Sequence, residues 1–114
     1  MTTLNSRKWT FEDSLDLYNI RQWGNGYFSA NEKGNLVVQP GGIGAPSVDM
    51  KDLVDEVRQR GIGAPLLIRF SQILKARVIE LNEAFLRAIS EYGYQGTYRG
   101  VFPIKVNQEK YVVE

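Results

Sequence analysis

Lys105 ends the apolar run Val101-Phe102-Pro103-Ile104-Lys105, and Val106-Asn107-Gln108 follow it. A primary amine closing a buried strand is the group an enzyme needs to hold an aldehyde cofactor as a Schiff base. In α/β folds, ligands gather at the carboxyl ends of parallel strands. Partial desolvation at such a place disfavours the charged amine and raises the neutral fraction that attacks a carbonyl. Asn107 and Gln108 add polar groups just beyond. Pro103 cannot donate to a strand ladder, so it is expected at the strand's beginning or at a bulge. A lysine after an apolar strand is usually just the first solvated residue. Its meaning therefore depends on its surroundings.

Few chemistries compete with an amine here. The chain has no cysteine and no histidine, which excludes disulfides, thiolate nucleophiles, imidazole bases and most transition-metal sites. Fourteen basic residues against thirteen acidic ones leave a net charge of +1. No segment is strongly basic, so no footprint for nucleic acid is visible. No apolar run is long enough to span a bilayer, and residues 1–8 lack the apolar core of a secretory signal. A soluble, cytoplasmic protein is expected.

Other candidate sites have plainer explanations. Gly42-Ile43-Gly44-Ala45-Pro46 recurs as Gly61-Ile62-Gly63-Ala64-Pro65. Neither copy has the Gly-Lys-Ser/Thr ending or the Gly-x-Gly-x-x-Gly spacing of a phosphate loop, so both read as turns. Trp9, Trp23, Tyr27 and Phe28 are expected to pack against the core and a hairpin, since no basic cluster interleaves them as a base-stacking platform would require. Asp49, Asp52, Asp55 and Glu56 spread around a helix and read as a solvated face.

At 114 residues and 43% apolar, the chain can bury one modest core. Residues 1–46 read as a β-rich segment, with a hairpin over about 27–38 whose arms flank Glu32-Lys33-Gly34-Asn35. Phe11 to Ile20 fits either a short helical turn or an irregular segment. From Ser47 to Arg60 the period changes, and Met50, Leu53, Val54 and Val57 share one helical face, with Ser47 or Asp49 as cap and Gly61 as terminator. Pro65–Phe70 reads as a strand. A helix is expected from Ser71, as N-cap, to about Tyr92, with the stripe Leu74, Val78, Leu81, Phe85, Ala88 and Tyr92 packed on its own sheet. Tyr98–Val106 reads as the last strand, and the closing residues Tyr111–Glu114 as lacking turn or cap. Strand, long helix and strand form a βαβ unit on a parallel sheet. Two such strands are too few for a complete sheet, and residues 47–114 read as the start of a larger domain.

The segment Val101–Gln108 resembles the cofactor-lysine motif of the long-chain biosynthetic arginine decarboxylases. The resemblance extends through Tyr18-Asn19-Ile20-Arg21-Gln22-Trp23-Gly24-Asn25-Gly26-Tyr27-Phe28, through Leu66–Phe70, and through the helix bearing Asn82 and Phe85. The lysine motif alone is similar to the wider group of alanine-racemase-like barrels, and the upstream aromatic segment narrows it to arginine.

This resemblance implies an α/β protein: the opening portion of a (β/α)8 barrel that binds pyridoxal phosphate (PLP), preceded by the β-rich segment. A complete barrel of this kind takes roughly 250 residues, so the chain is expected to be an inactive fragment. It implies that Lys105 bonds the cofactor and that L-arginine becomes agmatine and CO2, on the route to putrescine and spermidine. Magnesium and a homo-oligomer are also implied, with no residue assignable to either. Three readings stay open beside it. One is a related decarboxylase acting on ornithine, lysine or diaminopimelate. Another is a PLP-binding barrel without turnover. The third is a complete α/β interaction module without cofactor.

Overall fold

A computed structural model describes residues 7–114. They form two compact units, the first ending at Ile68 and the second spanning Arg69–Glu114.

In the first unit, α1 (Phe11–Leu17) starts with a capping box. Asp13 N donates to Thr10 Oγ1 at 3.4 Å, and Thr10 N donates to Asp13 Oδ2 at 2.8 Å. Arg7 also donates to Asp13, at 2.9 Å, and holds its carboxyl well below the usual carboxylate range. Asn19, at φ +52°, turns the chain into α2 (Ile20–Gly24), and Asn25 and Gly26 lead out of it at φ +48° and +78°. Asparagine and glycine tolerate this left-handed backbone. Phe11–Ile20 is thus mostly helix.

The hairpin forms as expected. β1 (Phe28–Ala30) pairs antiparallel with β2 (Leu36–Val38), with Phe28 opposite Val38 and Ala30 opposite Leu36. A third strand, β3 (Val48–Asp49), pairs on the other side of β2. Two residues are too few to carry a period-2 pattern, and the sequence gives no sign of it. α3 (Met50–Gln59) follows, capped by Asp49 and ended by Gly61 at φ +83°. Its Met50, Leu53, Val54 and Val57 are half-buried while Lys51, Asp52, Glu56 and Arg58 are exposed, and it packs on β2. Leu15, Ile20, Val37 and Val38 are the buried apolar residues. α3 shares this compact unit because its apolar face meets the hairpin.

The second unit holds α4 (Ser71–Glu91) and α5 (Lys110–Val113). α4 has the expected extent, but Phe70 is its N-cap residue and no side chain caps it. Its stripe does not pack on a sheet: Val78, Leu81 and Phe85 are 52%, 53% and 45% exposed. No residue of Arg69–Glu114 is buried. α5 (Lys110–Val113) puts a helical turn into the closing residues, where none was expected.

Neither Pro65–Phe70 nor Tyr98–Val106 is a strand, and the βαβ unit is absent. Helices bond within themselves, whereas strands exist only through neighbours. Pro65 and Pro103 further remove a donor from each segment. The fold is mixed helix and strand, and its sheet is wholly antiparallel.

Candidate functional site

Lys105 lies in a turn over Ile104–Val106, closed by Val106 N donating to Pro103 O at 2.9 Å. It does not close a strand, and its side chain is exposed, so the expected partial desolvation is not present. No ion pair among the described residues engages its amine. Asn107, the next polar residue, is half-buried, and its Oδ1 accepts from Glu109 N at 3.1 Å, which starts α5. Gln108 is exposed.

Two anchors bracket this turn. Upstream, the ring of Tyr98 lies flat on Phe85 of α4, with centroids 4.0 Å apart and planes 4° from parallel. Downstream, Glu109 Oε2 lies 3.8 Å from Arg69 Nη2, the residue two before α4 begins. Beside the stack, Phe85, Ala88, Ile89, Tyr92, Tyr94 and Tyr98 line an apolar hollow of about 370 Å³. Gly93 makes this possible: at φ +61° it ends α4 and lets Tyr94 N reach Ile89 O at 3.0 Å. The sequence marked Phe85 as part of a stripe and of the helix that carries the resemblance, not as a stacking partner of Tyr98. The recurrence of tyrosine at 92, 94 and 98 was the available signal for the hollow.

The other candidates resolve into structure. Asp49 accepts from Asn31 Nδ2 at 2.8 Å, from Asn35 Nδ2 at 3.0 Å, and from the amides of Lys51 and Asp52. The Asn35 amide above all keeps its carboxyl below the usual range. Asp55 pairs with Lys51 and Glu56 with Arg60. No group of three or more acidic side chains among the described residues is placed to hold a metal ion. Trp23 packs on Phe28 with centroids 5.3 Å apart. Trp9 is 61% exposed, with its Nε1 donating to Ser14 Oγ, so it is not a core residue as expected. No helix among the described residues is long and apolar enough to cross a membrane.

No family model matches the chain. It is 48% identical, over all of its 114 residues, to the biosynthetic arginine decarboxylase of Thermosynechococcus vestitus. It is 50% identical over 106 residues to that of Gloeobacter violaceus, and 50% identical over 108 residues to biosynthetic arginine decarboxylase 1 of Synechocystis sp.. The chain belongs to the biosynthetic arginine decarboxylase family. It spans 16–18% of the length of these three relatives. The similarity to the arginine decarboxylases takes in both compact units, including the Lys105 turn and the α2 segment from Tyr18 to Phe28.

Proposed function

We propose that the protein to which this chain belongs decarboxylates L-arginine to agmatine and CO2, with Lys105 bonding the aldehyde of pyridoxal phosphate. Identity of 46–50% to the arginine decarboxylases along essentially the whole chain carries this reading. The amine of Lys105 fits the group, being primary, exposed and free of an acidic partner among the described residues. When bound, the cofactor would supply an electron sink for the pair left on the substrate as its carboxylate leaves as CO2. The chain's part is to supply that amine, with Asn107 just beyond it fixing the start of α5 through the Glu109 amide. No described cluster fits magnesium, and no step is assigned to that ion.

The proposal includes a (β/α)8 barrel whose opening is residues 47–114, a cytoplasmic homo-oligomer, and a role in supplying putrescine and spermidine. In that barrel, Pro65–Phe70 and Tyr98–Val106 gain strand neighbours.

Borohydride reduction of the full-length protein with pyridoxal phosphate, followed by peptide mapping, tests the lysine. Label on Lys105 is expected, and label on another lysine overturns the assignment. Release of CO2 from arginine, and not from ornithine, lysine or diaminopimelate, is expected in a parallel assay. Preference for another of these amino acids overturns the substrate.

A further inference from the structure

We propose that Asn25 is a site of spontaneous covalent modification, losing its side-chain amide through ring closure by the Gly26 nitrogen. Asn25 is the one asparagine in the chain that a glycine follows, so no side chain crowds the backbone nitrogen that attacks. Its own side chain is exposed and makes no hydrogen bond among the described residues. The other described asparagines are engaged. Asn19 donates to Gln22 Oε1, Asn31 and Asn35 to Asp49, and Asn82 to Val78 O, while Asn107 accepts from Glu109 N.

The turn around Asn25 brings the reacting atoms together by one local movement. Tyr27 N donates to Gly24 O at 2.8 Å, with Asn25 at φ +48°, ψ +40° and Gly26 at φ +78° between them. These values are close to a type I′ turn. At this ψ the Gly26 nitrogen lies anti to Asn25 Cβ, and the ring cannot close. Turning over the peptide between the two residues gives a type II′ turn, with ψ about −120° at Asn25 and φ about −80° at Gly26. The nitrogen then eclipses Cβ, as a five-membered ring requires. That peptide makes no hydrogen bond through its carbonyl or its N–H among the described residues. Both turn types keep the bond from Tyr27 N to Gly24 O. Every atom involved lies within four consecutive residues, so the movement needs nothing from the remainder of the protein.

The chemistry consumes water and releases ammonia. Hydroxide takes the Gly26 amide proton, the nitrogen bonds to Asn25 Cγ, and the side-chain nitrogen leaves as ammonia. Water then opens the succinimide at either carbonyl. Breaking the new bond to Cγ gives aspartate, and breaking the original peptide bond gives isoaspartate, whose main chain runs through Cγ. Type II′ favours glycine at its first central position, so Asn25 is strained there and the reactive turn is a minor conformer.

The test follows the full-length protein at mildly alkaline pH by peptide mapping, which reads the replacement of NH2 by OH and separates isoaspartate from aspartate. Conversion at Asn25 in the folded protein is expected to run about ten- to a hundredfold slower than in urea-unfolded protein, reflecting the minor conformer. It is also expected to outpace conversion at every other described asparagine. Below the unfolding transition the rate is expected to stay flat as urea is added, because the flip exposes little surface. Asn25→Gly tolerates the same backbone, and is expected to stay folded by circular dichroism and to release less ammonia than the parent. Absence of native conversion over about a hundred unfolded-state half-lives would overturn the proposal. So would faster conversion at another described asparagine, a rate that climbs with urea, or undiminished ammonia from Asn25→Gly.

Discussion

Asn31 Nδ2 donates to Asp49 Oδ2 at 2.8 Å, tying the hairpin loop to the first turn of α3. The same Asn31 accepts, through Oδ1, from the amides of Lys33 at 3.1 Å and Asn35 at 3.0 Å. One side chain thus closes the β1–β2 loop and fixes the acid that caps the helix. Asn31→Ala is expected to lower the stability of the first unit by about 1–2 kcal/mol. Asn31→Asp is expected to do worse at neutral pH, because it sets a second carboxylate against Asp49, and to recover towards the alanine variant in acid. Chemical denaturation of both variants at pH 7 and in acid checks this.

Asp13 and Asp49 are expected to make the first unit acid-sensitive. Arg7, with the Thr10 amide and hydroxyl, lowers the carboxyl of Asp13. Asn35, then Asn31 and the α3 amides, lower that of Asp49. In both cases the folded state binds protons less readily than the unfolded chain. Their contribution is therefore complete above the unfolded value near 4 and is lost as pH falls through the lower folded values. The thermal midpoint of the first unit is expected to be flat from about pH 7 to 5 and to fall below about pH 4. Asp49→Asn, which keeps an acceptor oxygen but cannot be protonated in this range, is expected to show a shallower acid limb. An unchanged limb would exclude Asp49 as a source of the acid sensitivity.

The elements legible in the sequence are those whose bonds are internal or next-door. The hairpin at 28–38, α3 with its terminator Gly61, and α4 to Glu91 all have local signals: a glycine-containing loop, a 3.6-residue period, a positive-φ stop. What failed depends on partners. Pro65–Phe70 and Tyr98–Val106 have apolar strand composition, but composition cannot supply a neighbouring ladder. The same gap separates the expected Lys105, half-sheltered at a strand end, from the exposed one observed. The lysine was legible because its type and its flanking residues are chemical signals, and its surroundings were not because they are tertiary. The Phe85–Tyr98 stack joins positions thirteen apart, beyond any helical or strand period.

Val38 and Leu81 are apolar residues of unlike consequence. Val38 is 0% exposed on β2, between β1 and β3 and on the strand against which α3 packs, whereas Leu81 is 53% exposed on α4. Val38→Ala removes fully buried methyl groups and leaves a cavity, with an expected cost of about 2 kcal/mol. Leu81→Ala in this same chain is expected to cost less than about 0.5 kcal/mol, and its helix propensity is not worsened. Denaturation midpoints of the two variants decide it. Equal losses would mean that the α4 face is covered in solution.

Gly26 and Gly34 separate backbone strain from packing. Both take positive φ, +78° and +79°. A Cβ at Gly26 would lie 2.9 Å from Ile43 Cγ1, while one at Gly34 would meet nothing within 4 Å. Gly34→Ala is expected to cost about 1 kcal/mol from backbone alone. Gly26→Ala carries the same strain, and Ile43 must also shift. Ile43 is 89% exposed, so it can move, and the extra cost is expected to stay within about 1 kcal/mol. A Gly26→Ala, Ile43→Ala double variant should bring the cost back to that of Gly34→Ala.

Hydrogen exchange should divide the chain at its two units. Amides of Val37 and Val38 lie in the central strand of the sheet, on buried residues, and open only when the first unit unfolds. α4 is three times longer than α1 and rich in good helix formers, but isolated helices of about this length are only marginally stable in water. With no buried residue in Arg69–Glu114, its amides are protected by the helix alone. In the 114-residue chain, protection in α4 is expected to be lower than in β2 by about a hundredfold or more. In the full-length protein α4 should become as protected as β2, because the proposed barrel covers its apolar stripe. Equal protection in the short chain would instead show that something in that chain, a second copy included, already shields Leu74, Val78, Leu81 and Phe85. Concentration dependence of the exchange rates would separate those two cases.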